Sequence, residues 1–127
     1  MIQKGSYLNV IDNSGVKQVC CIHIIGGYRK RYAYLGDIVV ASVKHVRFKE
    51  EIKLKKGDIV KALIVRTKVL STLKLPVNAS HQFSENGAVL LNTKYKPYGT
   101  RIFGGLQKSF RYTKHSKILS LSSGLIK

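Results

Sequence analysis

Three long apolar runs, each about ten residues and rich in β-branched side chains, constrain the fold of this chain most strongly. They cover residues 16–25, 38–48 and 59–69, and turn-forming residues such as Gly-Gly and Lys-Lys-Gly-Asp separate them. Each run exceeds the usual strand length of about five or six residues. Long strands in a small all-β domain tend to curl into a closed barrel with projecting ribbons, and we predict that architecture here.

The same runs alternate incompletely between apolar and polar residues, so we expect both faces of these strands to be covered over part of their length. Two shorter strands are predicted at residues 7–10 and 88–92. A chain of 127 residues fits a single domain, which we assign to residues 1–127, with the barrel at about residues 1–95.

The C-terminal region, at about residues 96–127, differs from the barrel in its composition. Pro97-Tyr98-Gly99 and Gly104-Gly105 predict loops, and residues 106–111 and 114–121 each predict a short helix. Helices this short are marginal in isolation, so we expect them to dock onto the barrel.

The charge indicates the class of partner. The chain carries 23 Lys and Arg residues against 6 Asp and Glu residues, a formal net charge of +17. A compact domain of this size repels itself unless a polyanion neutralises it, which favours nucleic acid or an anionic membrane surface. The sequence has no apolar run of about 18 residues, which a spanning helix requires, and residues 1–6 do not resemble a secretion signal. We therefore predict a nucleic-acid partner and no membrane.

No pattern of residues predicts catalysis. The six carboxylates fall in predicted turns or loops, the four histidines are scattered, and the zinc-protease, nucleophile-elbow and phosphate-loop motifs are missing. Cys20 and Cys21 are adjacent and would point to opposite faces of a strand, so they are poorly placed to share a metal or a disulfide. We expect no enzyme, no cofactor, no metal site and no small-molecule substrate.

The stretch GGYRKRYAYLGD, residues 26–37, carries the strongest signal for RNA binding. Arg29 and Arg31 can grip phosphates with planar guanidinium groups, Lys30 adds a point charge, and neighbouring tyrosines can stack on bases. A solvated turn anchored by its tyrosines is the alternative, which the net charge of +17 makes less favoured. Motifs of sequence-reading modules are missing, so we expect recognition of RNA shape and backbone. Further candidate cations lie at the far ends of two long runs (Lys44, Arg47, Arg66 and Lys68) or in the turn between those runs (Lys55 and Lys56).

Several blocks, in order along the chain, resemble one protein family. They read LNVIDNSG (8–15), GGYRKRYAYLGD (26–37), KKGDIVKALIVRTK (55–68), NGAVLLN (86–92), PYGTRIFG (97–104) and SKILSL (116–121). Together they are similar to ribosomal large-subunit protein fourteen, the universal family, in its bacterial type. The resemblance implies a closed five-stranded β-barrel with a projecting β-ribbon and a small C-terminal region of short helices, without catalysis.

The resemblance also implies partners. The family lies on the intersubunit face of the large ribosomal subunit, where it binds large-subunit rRNA, packs against neighbouring large-subunit proteins nineteen and three, and helps to bridge to small-subunit rRNA. A ribosome-silencing factor docks on the same family. By position, the docking and intersubunit surface would include Thr100, Arg101, Phe103, Lys117 and Ser120. The predicted rRNA-binding residues are then Arg29, Lys30, Arg31, Tyr32, Lys44, Arg47, Lys55, Lys56, Arg66 and Lys68.

The chain departs from the family pattern at residues 69–83, where only Lys74 remains of the usual basic ribbon. We therefore expect no rRNA contact from the ribbon tip. The bias toward Lys, Ile, Tyr and Ser suggests an AT-rich genome, so a mitochondrial ribosome is the first expectation, with a plastid or bacterial ribosome as alternatives. Outside the ribosome, the alternatives are a free-standing basic β-barrel that acts as an RNA chaperone and, behind it, a small hydrolase.

Overall fold

The computed structural model describes residues 2–47, 54–68, 71–72, 80–81, 83–107, 110 and 115–126. In chain order the strands are β1 (Tyr7–Val10), β2 (Val16–Ile24), β3 (Ile38–Val46), β4 (Ile59–Arg66), β5 (Ser71–Thr72), β6 (Ser80–His81), β7 (Gly87–Leu91), β8 (Ile102–Gln107) and β9 (Ser122–Ile126), and the helix α1 (Lys117–Leu121) directly precedes β9. The five strands predicted from the apolar runs are therefore present as β1 to β4 and β7.

Five strands close into a barrel in the order β1-β2-β3-β4-β7. Neighbouring strands are antiparallel, except that β1 and β7 run parallel where they close the barrel. The pairing of β2 with β3 shifts register three times, including between Val16 and Gln18 and between Cys21 and His23. Such bulges increase the local twist of a strand and help a small sheet to curl. The predicted all-β closed barrel is confirmed.

The strands bury two apolar clusters. The first fills the barrel with small and branched side chains from every barrel strand. The second lies on the outer side of β4 and β7, where Leu63, Val65, Val89 and Leu91 meet side chains of the C-terminal region. Because successive side chains point to opposite faces of a strand, the unbroken burial of β7 means that both of its faces are covered. The prediction of strands covered on both faces is confirmed for the second half of β4.

The C-terminal region is a two-stranded parallel sheet with a helix packed against it. β8 and β9 pair with Gly105 opposite Gly124, and α1 contacts both strands. The helix predicted at residues 114–121 is confirmed in a shorter form as α1. The helix predicted at residues 106–111 is wrong at its start, because its first two residues end β8. The local sequence could not reveal this strand, since its partner β9 lies beyond α1 in the chain.

β5 and β6 pair in antiparallel fashion, with Ser71 opposite His81, and form the short ribbon that the resemblance implies. The ribbon tip, with Lys74, lies outside the described residues. Among the helices in the described part of the chain, none is long and apolar enough to cross a membrane.

Leu106 tests whether the C-terminal sheet belongs to the stable core. Its side chain is fully buried in the second cluster. We expect Leu106→Ala to lower the free energy of unfolding by about 2–5 kcal/mol, because contacts are lost and a cavity remains. Urea denaturation followed by circular dichroism measures this change.

Ile59→Ala is the matched control for this variant. Ile59 lies on β4 but is 69% exposed, so its truncation should change stability by less than about 0.5 kcal/mol. Equal denaturation midpoints for the two variants would show that the C-terminal sheet contributes little to the stability of the barrel.

Candidate nucleic-acid interface

The basic loop, residues 26–37 between β2 and β3, is fixed to the barrel near its middle. Ile2 and Ala33 exchange both of their backbone hydrogen bonds, each with an N–O distance of 2.8 Å. Both side chains are fully buried in the barrel cluster. The N-terminus therefore clamps the loop in the manner of a short antiparallel strand, and the second half of the loop is held to the barrel.

Asp37 closes the basic loop. Its Oδ2 accepts a hydrogen bond from the backbone N–H of Tyr34 at 2.8 Å and lies 3.0 Å from Nζ of Lys30. The preceding Gly36, at a φ of +88°, donates its N–H to the carbonyl oxygen of Ile64 in β4 at 2.8 Å. The half-buried Lys30 side chain is thus an internal tie of the loop, and Asp37 partly neutralises its charge.

Arg29 and Arg31 differ from Lys30 because both side chains are exposed. Within the described residues, neither arginine forms an ion pair with a carboxylate.

Lys4 also lies beside the loop. The sequence did not predict this, because Lys4 is an isolated cation that only the pairing of Ile2 with Ala33 brings there. The open cleft formed here has a volume of about 550 Å³ and is lined by Gln3, Lys4, Arg29, Lys30, Arg31 and Tyr32.

A second group of predicted cations lies at the opposite end of β3. Because β3 and β4 are antiparallel, the end of β3 meets the turn that precedes β4. Val43 donates to the carbonyl oxygen of Asp58 at 2.9 Å and accepts from the N–H of Gly57 at 2.8 Å. The structure therefore divides the predicted set into two surfaces, and the surface far from the basic loop carries Lys44, Arg47, Lys55 and Lys56.

Arg66 is engaged inside the protein. Its guanidinium pairs with Oε1 of Glu85 at 3.1 Å. It also donates to the carbonyl oxygen of Gly105 at 3.2 Å and to that of Phe103. With only 9% of its surface exposed, Arg66 joins β4 to β8 and is poorly available to RNA. The exposed Lys68 follows it at the same end of the barrel as the basic loop.

The turn at residues 12–15 holds the segment that carries the predicted docking residues. Asn13 Oδ1 accepts from the backbone N–H groups of Thr100 and Arg101 at 2.8 and 3.1 Å. Asn13 Nδ2 donates to Oγ1 of Thr100 at 2.9 Å. These contacts leave the side chains of Thr100 and Arg101 exposed, as are those of Phe103, Lys117 and Ser120 nearby on β8 and α1.

The carboxylate of Asp12 stabilises the fold. The sequence alone placed it in a turn and gave no sign of this role. Asp12 is 2% exposed, and burial raises its pKa above the usual value, although hydrogen bonds from Ser14 and Leu90 oppose this shift. Its Oδ1 accepts from both the N–H and the hydroxyl of Ser14, and its Oδ2 accepts from the N–H of Leu90 at 3.2 Å. Among the described residues, no cluster of His, Cys, Asp and Glu could hold a metal.

The sequence model of one protein family, described as ribosomal protein L14p/L23e, matches residues 1–126. The match includes the basic loop, the turn at residues 12–15 and the segment at residues 99–103 that this turn holds.

Gly99 tests the contact between that turn and that segment. A Cβ at this position would come within 2.6 Å of Asn13 Oδ1 and 3.1 Å of Asp12 Cβ. We expect Gly99→Ala to destabilise the protein by about 1–3 kcal/mol, since the turn must move and its hydrogen bonds lengthen. Thermal and urea denaturation measure the loss.

Gly27→Ala is the matched control, because a Cβ there would meet its nearest neighbour, Cβ of Lys30, at an ordinary 3.7 Å. In an Asn13→Ala background, Gly99→Ala should destabilise the protein less, because the closest clashing atom, Oδ1 of Asn13, is gone. An equal loss of unfolding free energy in both backgrounds would contradict the contact between Gly99 and Asn13.

Proposed function

Since this chain belongs to the ribosomal protein L14p/L23e family, we propose that this structural protein of the large ribosomal subunit binds large-subunit rRNA through the basic loop. Its role in the ribosome is architectural rather than enzymatic. The observation that carries the proposal is the combination of an anchored loop backbone with two exposed arginines, Arg29 and Arg31. Guanidinium groups bind phosphates in bidentate geometry, and an anchored backbone lowers the entropic cost of binding.

The cations far from the basic loop form a second proposed rRNA surface, with Lys44, Arg47, Lys55 and Lys56. Three of these four side chains are exposed, and Lys44 is half-buried. Two surfaces at opposite ends of β3 suit a protein that is embedded between rRNA segments and neutralised on more than one side.

The exposed side chains held by the turn at residues 12–15 form the third proposed surface. We assign to it the intersubunit bridge with small-subunit rRNA and the contacts with large-subunit proteins nineteen and three, as well as docking of a ribosome-silencing factor. Thr100 and Arg101 offer polar contacts on a backbone fixed by Asn13, and Phe103 adds an aromatic ring that is 43% exposed. Such a fixed, mixed polar and aromatic patch is typical of interfaces between proteins.

The compartment is proposed from composition alone. The bias toward Lys, Ile, Tyr and Ser favours a mitochondrial ribosome over a plastid or bacterial one. Immunoelectron microscopy of the source cells checks this, and label over the cytoplasm or plastids would contradict the mitochondrial assignment.

Sedimentation of a cell lysate through a high-salt gradient tests the ribosomal role. We expect the protein to stay with the large subunit, because contacts on several sides hold an embedded protein. A free-standing RNA chaperone, the alternative, would dissociate and remain near the top of the gradient, since binding that rests on phosphate contacts weakens steeply with salt.

Single alanine variants in the basic loop test which cations contact phosphate. We expect Arg29→Ala and Arg31→Ala each to weaken rRNA binding and to reduce the salt slope of the binding constant by about one. Lys30→Ala should reduce the slope by less, because Lys30 is already paired with Asp37. Filter binding to a large-subunit rRNA fragment at several salt concentrations measures the slopes.

Lys94→Ala is the control for these variants, because Lys94 is an exposed cation in the turn after β7 and belongs to none of the proposed surfaces. Its slope should match that of the unmodified protein. Identical salt slopes for all four variants would show that the basic loop is a solvated turn that contacts no phosphate.

A further inference from the structure

Tyr28 in the basic loop is a large aromatic side chain that belongs to neither apolar cluster. It is 90% exposed, more than any other large hydrophobic residue of the described chain. A single exposed apolar residue is ordinary in itself. Tyr28 differs from that ordinary case because the backbone beside it adopts an unfavourable conformation, a cation covers one ring face, and a cationic cleft adjoins it.

Arg29 determines how the ring of Tyr28 is presented. Its guanidinium carbon lies 5.3 Å from the ring centroid, within the range of a cation–π contact. Arg29 has a φ of +56°, in the left-handed region that side chains with a Cβ rarely adopt. Such conformations persist when the surrounding structure determines them and are concentrated at functional sites. Here the tie between Lys30 and Asp37 supplies that support.

The packing inside the loop strengthens this support. A Cβ on Gly26 would lie 3.6 Å from Nζ of Lys30, so the Lys30 side chain passes beneath the start of the loop. Gly26 itself has a φ of +115°. The loop therefore turns tightly over Lys30, and the ring of Tyr28 points away from the barrel with one face against Arg29 and the rest in solvent.

The cleft beside Tyr28 contributes the charges that a nucleotide requires. Arg29 and Arg31 line it together with Lys4. Bases inside an RNA helix are covered on both faces by their neighbours, so only an unpaired base can stack on a side chain. A base that stacks on Tyr28 would bring its own flanking phosphates toward these cations.

We propose that an unpaired rRNA base stacks on the free face of Tyr28, with its flanking phosphates bound by the cations of the adjoining cleft. The proposal rests on the proposed function, because it requires that the basic loop faces rRNA. It adds recognition of an unstacked nucleotide to the binding of phosphates. Stacking on an aromatic ring tolerates every base, so the site selects an unpaired nucleotide rather than a sequence.

Three variants of Tyr28 and two synthetic RNA duplexes test the proposal. One duplex carries a single bulged, unpaired 2-aminopurine nucleotide, and the other is fully paired. The unmodified protein and Tyr28→Phe should prefer the bulged RNA and quench the fluorescence of 2-aminopurine. Tyr28→Ser and Tyr28→Leu should lose roughly 5- to 100-fold in affinity for the bulged RNA only, the range expected for one stacked base.

The salt dependence separates stacking from phosphate binding. No phosphate contact is removed in Tyr28→Ser, so its salt slope should equal that of the unmodified protein. An unchanged preference for the bulged RNA in Tyr28→Ser would overturn the stacking proposal while rRNA binding stands. Failure of the unmodified protein to bind either RNA at moderate salt would overturn both.

Chemical probing of large subunits that contain the variants tests the same contact in its assembled setting. At least one unpaired rRNA nucleotide should gain 2′-hydroxyl acylation reactivity in Tyr28→Ser and Tyr28→Leu but not in Tyr28→Phe. Loss of a neighbouring protein from variant subunits, with unchanged rRNA reactivity, would instead assign Tyr28 to a protein contact and overturn the proposal.

Discussion

The parallel pairing of β1 with β7 is the contact on which the rest of the structure depends, because it closes the barrel. Across this seam Asn9 lies opposite Gly87, where a side chain would press on Arg66 and Ile11 at 3.2 and 3.3 Å. Parallel strands cannot be joined by a tight turn, and the seam accordingly joins strands that are far apart in the sequence. Polar contacts flank it on both sides: Asn9 Nδ2 donates to Glu85, which also holds Arg66, and just past β1 Asp12 accepts from Leu90. Closure of the barrel thus positions the turn at residues 12–15. This turn holds the exposed segment at residues 99–103.

The carboxylates show how the fold tolerates a net charge of +17. Each of the four carboxylates in the described residues shapes the backbone or joins elements. Asp58 Oδ2 accepts from the N–H of Lys55 at 2.8 Å, as Asp37 does from Tyr34 at the same distance. Only Asp37 and Glu85 pair with cations within the described chain. The anions therefore determine local geometry and offset few of the positive charges, so most of the repulsion must be relieved by an external polyanion.

The sequence was sufficient to predict the barrel, because the long β-branched runs and the turn residues between them are local signals. The partners of strands and cations are not local, and the sequence alone did not reveal them. Gly104-Gly105 indicated a loop but lies in β8, whose partner strand follows a helix. Arg66 was grouped with Lys68 by charge alone, although β4 carries it to β8 and Glu85. Lys44 and Lys68 were both placed at the far ends of long runs, and the antiparallel pairing of β3 and β4 puts those ends on opposite sides of the barrel.

The basic loop shows why equal charges at adjacent positions need not have equal roles. A loop with three free cations in succession would repel itself and lose order, and RNA would have to restore that order on binding. The pairing of Lys30 with Asp37 partly neutralises one charge in the middle of the run and helps to fix the backbone. The two arginines on either side then keep their charges in defined positions. Binding that depended only on total charge would gain nothing from this arrangement, so the tie supports the proposal that the loop binds folded RNA at one fixed place.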